Sequence, residues 1–185
     1  MQSLKRIGLY GVSGTGKTTI LKRLMQLTSS VIWLEGASLV LDAAKLTLDE
    51  FKRLPEIEKY HFREMAILNA LEIQRSQKQH IIIDGHLAFA KGENEFENVM
   101  TEKDKEFYTD FIYLKLSAGT VLERQRSDFV KKRDFSLDTI IKWTEFELSE
   151  LNIVCRIRNI NLHIIESENN QYCVDFIINK LINSP

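Results

Sequence analysis

Residues Gly11-Val12-Ser13-Gly14-Thr15-Gly16-Lys17-Thr18 constrain this chain more than any other stretch. They read G-x-x-x-x-G-K-T, the spacing of a phosphate-binding loop. Such a loop needs a strand before it and a helix after it. The apolar run Ile7-Gly8-Leu9-Tyr10 suits a buried strand, and Ile20, Leu21, Leu24, Met25 and Leu27 recur at helical spacing behind it. Glycines let the backbone turn tightly and aim N–H groups at a phosphate. The following helix adds free N–H donors and a positive dipole end. Gly11, Ser13, Gly14, Thr15, Gly16, Lys17, Thr18 and Thr19 are therefore the candidate nucleotide-binding residues. Lys17 is placed to reach β- and γ-phosphates, and the Thr18 hydroxyl to ligate a phosphate-bound Mg²⁺.

The remaining apolar runs repeat the same alternation. Val31-Ile32-Trp33-Leu34, Ile81-Ile82-Ile83, Phe111 to Leu116 and Leu162 to Ile165 are four more strands, with helical patterns between them. Strand–helix alternation predicts an α/β chain built on a parallel sheet with right-handed crossovers. Helices are expected at 38–45, at 47–53 under a Thr47/Glu50 capping box, and from Pro55 to about Gln77. The last is predicted to bury Ile57, His61, Met65, Leu68 and Leu71, with His61 a half-buried packing residue. Residues 91–104 read as an exposed connection. Ser117 and Ser136 read as caps of two further helices, the second burying Leu137, Ile140, Ile141, Thr144, Leu148, Leu151 and Cys155. A final helix carries Val174, Ile177, Ile178, Leu181 and Ile182.

Asp84 closes the Ile81–Ile83 strand. Ligands of open α/β sheets gather outside the carboxyl ends of strands, so Asp84 is expected to face the glycine loop and, with Thr18, to hold Mg²⁺. Arg124, Arg126, Lys131, Lys132 and Arg133 crowd into ten residues. That density predicts a small basic lid, about 124–136, with Arg124, Lys131 and Arg133 as catalytic clamps on the transferring phosphoryl group. Arg53, Arg63 and His86 are the candidates on the acceptor side, within or beside helices spanning about 37–78.

Composition narrows the field. The 185 residues are 44% apolar with a net charge of −1, enough for one core and without the charge bias of a nucleic-acid or membrane surface. One domain across 1–185 is expected. No apolar stretch approaches the roughly 20 residues of a membrane span. Lys5 and Arg6 run directly into the glycine loop, leaving no place for a signal peptide. Cys155 and Cys173 have no metal-type spacing and are read as buried thiols of a cytoplasmic protein. A homo-oligomer is compatible with all of this.

Taken together, Gly11 to Thr18, the Leu46–Gln74 helices, Asp84-Gly85-His86 and Arg124 to Asp134 resemble the nucleoside monophosphate kinases, and among them the archaeal-type adenylate kinases. The resemblance implies a P-loop NTPase fold with a five-stranded parallel sheet flanked by helices. It also implies ATP and Mg²⁺, a nucleotide acceptor under the helices after the second strand, and an adenine pocket near Glu166 to Asn170. His86-Leu87 stands where bacterial adenylate kinases carry Pro-Arg. Trp143, Glu145 and Glu147 stand where acceptor-binding arginines are expected, with Arg156 and Arg158 the first arginines of that helix. Two other readings stay open: an ATPase or nucleotide-dependent binding module acting on a protein partner, and a P-loop kinase of a non-nucleotide metabolite.

Overall fold

The computed structural model describes residues 3–92, 95–128 and 135–182. The chain runs β1 (Arg6–Tyr10), α1 (Lys17–Leu27), β2 (Val31–Glu35), α2 (Gly36–Ala44), α3 (Leu48–Arg53), α4 (Glu56–Gln77) and β3 (His80–Asp84). It continues through β4 (Ala88–Ala90), β5 (Phe96–Asn98), α5 (Glu102–Phe107), β6 (Asp110–Leu114), α6 (Ala118–Ser127), α7 (Leu137–Arg158), β7 (Asn161–Ile165) and α8 (Asn170–Phe176). Helix α8 widens into π-type turns over Ile177–Ile182. Strands β2-β3-β1-β6-β7 form one parallel sheet in that order. This is the expected α/β P-loop fold, with β1 at the centre. All five strands end on one edge, where the segments after β1, β2 and β3 meet.

Period-two alternation sorts the strand residues onto two faces. Ile7, Leu9, Ile82, Ile112 and Leu114 pack under α1 and α8 with Ile20, Leu24, Val174 and Ile177. Ile81, Ile83, Phe111 and Tyr113 pack under α4 and α7 with Ile67, Ala70, Leu151 and Val154. Each fully buried aliphatic side chain contributes about 1.5–3 kcal/mol, so this double-sided burial is the main support of the sheet. The predicted final helix, the Thr47/Glu50 capping box and the Ser117 and Ser136 caps are all present. Both cysteines are buried free thiols. Among the described residues, no helix is long and apolar enough to cross a membrane.

Two helices bury different faces from those predicted. In α4 the buried residues are Ala66, Ile67, Ala70 and Gln74. Alanines allow close approach, and α2 lies against this helix, so small side chains take the contact while Ile57, His61 and Leu68 are exposed. His61 is therefore not half-buried; its ring stands 6.0 Å from that of Phe62. In α7, Leu137 and Ile141 are exposed, and Thr139, Trp143, Glu147 and Val154 join Ile140, Leu151 and Cys155 inside. Glu147 is fully buried because Tyr113 donates to its Oε2 at 2.9 Å and the Ala88 N–H to its Oε1 at 3.2 Å. A hydrophobicity count has no means of placing such a residue in a core.

The stretch expected to be an open connection is also structured. Ala88–Ala90 pairs antiparallel with Phe96–Asn98, and α5 begins at Glu102 under a Thr101/Asp104 capping box.

At the amino ends of the strands, the buried Asp110 carboxylate lies 3.2 Å from Lys5 Nζ, 3.2 Å from Asn161 Nδ2 and 3.4 Å from His163 Nε2. Burial by itself would raise this carboxyl, but bonds from His163, Thr109, Lys5 and Asn161 outweigh it and hold the group well below the usual range. A depressed folded-state value stabilises the fold above the unfolded pKa of about 3.9, and that stability is lost as pH falls through the folded value. Asp110→Asn is expected to cost about 1.5–3 kcal/mol, the range for hydrogen bonds to a charged group, in urea melts at neutral pH. The gap between variant and parent should narrow as the melts are repeated toward about pH 2. A gap constant with pH would mean that Asp110 acts through packing alone.

Candidate active site

The glycine loop joins β1 to α1 with Gly11, Gly14 and Gly16 at φ of 139°, 99° and 93°. A Cβ on Gly11 would stand 2.6 Å from the Leu114 carbonyl oxygen. Backbone strain and a backbone collision both exclude a side chain there. Thr15 Oγ1 donates to the Val12 carbonyl at 3.0 Å, and Gln125 Nε2 on α6 donates to the Ser13 carbonyl at 2.6 Å. Lys17 Nζ donates to the carbonyls of Gly11 and, at 3.5 Å, Val12. No described side chain caps α1, which leaves its first N–H groups to serve an anion.

The loop opens onto a cavity of about 690 Å³. Ser13, Gly14, Gly16, Lys17, Thr18 and Thr19 line it. Gly11 and Thr15 are buried beneath the loop and shape it. Asp84 faces the same cavity from the end of β3, as its position at a strand terminus predicts. It is 8% exposed, and Trp33 Nε1 on β2 donates to its Oδ1 at 2.8 Å. Burial pushes its carboxyl up, while the Trp33 bond and the Lys17 charge pull against that rise. Glu35, paired in register with Asp84 at the end of β2, lines the cavity as well. Its Oε2 accepts from Ser38 Oγ at 2.9 Å.

The cationic candidates divide. Arg124 lines the cavity and lies 3.4 Å from Glu168. Lys131 and Arg133, with the rest of the predicted lid over 129–134, lie outside the described residues. Arg63 and His86 line the cavity, but Arg53 does not. Helix α3 turns Leu48 and Phe51 toward the cavity; at 100° per residue, Arg53 then falls nearly opposite Phe51, in solvent. Of the predicted adenine segment, Asn170 lines the cavity beside the loop, whereas Glu166 pairs with Lys115 at 2.6 Å.

Four contributors went unassigned in the sequence: Trp33, Glu35, Asp104 and Gln125. Glu35 carried the same signal as Asp84, an acid at a strand's carboxyl end. Asp104 carried a local mark as the N3 acid of the Thr101 capping box, while Trp33 and Gln125 depend on contacts between distant segments, for which the sequence has no local mark.

A profile of the AAA domain matches residues 10–143. The chain belongs to the AAA domain family. No curated protein matches it in sequence. Among solved structures, this AAA domain is similar to a sugar kinase from Janibacter sp. HTCC2649, with TM-score 0.63 and 13% identity over 99% of this chain and 97% of that one. It is also similar to shikimate kinase from Bacteroides thetaiotaomicron (TM-score 0.58, 14% identity, 97% and 99% covered). A third likeness is to shikimate kinase from Acinetobacter baumannii in complex with shikimate (TM-score 0.58, 18% identity, 98% and 97% covered). At these identities the likeness is one of fold, and it extends over the whole sheet and its helices.

The Trp33–Asp84 bond opposes the upward push of burial on the Asp84 carboxyl. Trp33→Phe removes the indole donor and keeps an aromatic ring, so the Asp84 carboxyl should titrate higher than in the parent. Carbon-detected NMR titration of the side-chain carboxyl measures this; an unmoved midpoint would show that the indole N–H does not stabilise the carboxylate.

Proposed function

We propose that this AAA domain is a kinase that moves the γ-phosphoryl group of ATP to a small-molecule acceptor, with Mg²⁺ bound at Thr18 and Asp84. The observation that carries this reading is the shared cavity. The glycine loop, Asp84 and Glu35 face one space, and that space extends past the phosphate site between α2 and α4. An ATPase acting on a protein partner has no use for a second lobe lined by α2 and α4 beside the phosphate site, so the small-acceptor reading is preferred.

The residues fit both groups. Three glycines at positive φ let the loop backbone turn tightly without side chains, and the ammonium of Lys17 lies at its base. Among the described residues, no cluster of three or more His, Cys, Asp or Glu is placed to hold a metal. A hydroxyl and a carboxylate beside phosphate oxygens nonetheless match the way Mg²⁺ is usually held, with few protein ligands and several waters. Bound there, Mg²⁺ supplies charge compensation at the β- and γ-phosphate oxygens.

The protein's own part is positioning and charge. The loop amides and Lys17 hold the phosphates in line with the acceptor. Glu35 takes the proton of the acceptor hydroxyl as its oxygen bonds to the γ-phosphorus and the bond to the bridging oxygen breaks, releasing ADP. Arg124 stands beside the loop to meet charge on the transferring group. The likeness to archaeal-type adenylate kinases suggests a nucleoside monophosphate as acceptor, and the cavity has room for one. The sugar and shikimate kinases among the structural neighbours support an alcohol instead, as does a carboxylate at the end of β2, since a phosphate oxygen needs no base.

Lys17→Ala is expected to lower ATP-dependent transfer at least about 100-fold, the scale of losing one preorganised charge-stabilising donor, with an unchanged far-UV spectrum. Near-normal turnover by a folded variant, in a coupled ADP-release assay, would end the kinase reading. Asp84→Asn should raise the Mg²⁺ concentration for half-maximal rate more than it raises the KM for ATP. Identical Mg²⁺ titrations would assign Asp84 to the strand end alone.

A further inference from the structure

The acceptor lobe of the cavity has a composition that constrains what enters it, taking the kinase reading as given. Leu39, Val40, Phe51, Ala66, Ile67 and Phe89 make its walls apolar. Set into them are Asp104, Arg63, Tyr10 and Tyr108. The two tyrosines are each 5% exposed, with ring centroids 6.2 Å apart at nearly a right angle. Burial, with the charge of Asp104 added to it, keeps both phenols protonated.

Asp104 has two distinct oxygens. Its Oδ2 accepts from the Thr101 backbone N–H at 2.8 Å and from the Thr101 hydroxyl at 2.6 Å, completing the α5 capping box. Among the described residues, no donor is bonded to Oδ1. Burial pushes the carboxyl up to about 6, against the pull of Thr101 and Arg63, so it is an acceptor at neutral pH. Arg63 is already shared, its Nη1 lying 3.6 Å from Glu56 Oε2.

The charges do not suit a phosphate monoester. Leaving aside Asp84, which faces Lys17, the acceptor lobe presents the carboxylates of Glu35 and Asp104 against one guanidinium, that of Arg63, and the imidazole of His86. A dianionic phosphate would add like charge to that surplus. A flat apolar body with a hydrogen-bond-donating edge, by contrast, matches apolar walls beside a carboxylate oxygen that has no described donor.

We infer that the acceptor is an uncharged alcohol of nucleoside size, whose hydrogen-bond-donating edge is read by Asp104 Oδ1 while its hydroxyl faces Glu35. Asp104 is then the specificity-determining residue. A base carrying an exocyclic amine pairs with it, as carboxylates pair with the amine of cytosine elsewhere. A base presenting only a carbonyl at that edge sets oxygen against oxygen.

The test uses the full chain with [γ-³²P]ATP and Mg²⁺ against cytidine, adenosine, uridine and thymidine and their 5′-monophosphates. Nucleosides should be phosphorylated in preference to monophosphates, and amino-bearing ones at least about tenfold over carbonyl-bearing ones in kcat/KM, which is about 1.4 kcal/mol. Asp104→Asn keeps a carbonyl for Thr101 and turns the oxygen that has no described donor into an amide donor. It should lower the amino-to-carbonyl ratio at least about tenfold, whereas Thr101→Ala, which breaks the cap and leaves Oδ1, should keep the ratio. Equal losses on every acceptor in both variants would make Asp104 structural and overturn the inference. Preference for the monophosphates, or no nucleoside labelled while Lys17-dependent ATP turnover persists, would also overturn it and leave the kinase reading standing. Absence of any Lys17-dependent turnover would remove both.

Discussion

The site depends on one close approach, between Gly11 and the carbonyl of Leu114. The central strand must end and turn directly against the end of β6, with 2.6 Å between that oxygen and the place a Cβ would occupy. Because the turn is that tight, the carbonyls of Gly11 and Val12 come within reach of the ammonium of Lys17, the first residue of α1. The amides of the loop then share a single concave side, and α1 leaves it with its positive end directed there. The pairing β1–β6 and the pairing β1–β3 fix the two walls of the same space. A parallel sheet packed on both faces is what makes the approach rigid enough to matter.

Much of this was legible in the chain itself. The glycine loop, the alternation of strands and helices and the acid after Ile81-Ile82-Ile83 together predicted the sheet and which edge carries the ligands. The strands were visible because residues buried on both faces form unbroken apolar runs. Helix faces were less so. The rows along α4 and α7 were assigned by apolar side chains, yet α4 packs through Ala66 and Ala70, and α7 buries Glu147 and Trp143. Close packing and polar pairing choose those faces, and neither has a periodic apolar mark. The short β4–β5 pairing escaped for the same reason: three-residue strands over a polar segment carry too little pattern.

Within the site, residues that act through backbone geometry were read directly, and residues that act through partners were not. Lys17, Thr18 and Asp84 occupy positions fixed by local spacing. Trp33 reaches Asp84 across 51 residues, and Gln125 reaches Ser13 across 112. Arg53 shows the opposite failure, a cation assigned to the cavity by proximity in sequence and turned into solvent by helix phase. Arg63, ten positions on, lines the cavity on a longer helix.

Gln125 has one more implication. Its amide grips the Ser13 carbonyl, and its neighbour in sequence, Arg124, stands beside Gly16 with a guanidinium nitrogen 3.6 Å from where a Cβ would be. Helix α6 thus carries, on adjacent residues, a tether to the cradle and a charge aimed past it. Any swing of α6 that moves the guanidinium away from Gly16 would also pull on the Ser13 carbonyl, so the position of the arginine and the shape of the loop are mechanically linked through one helix.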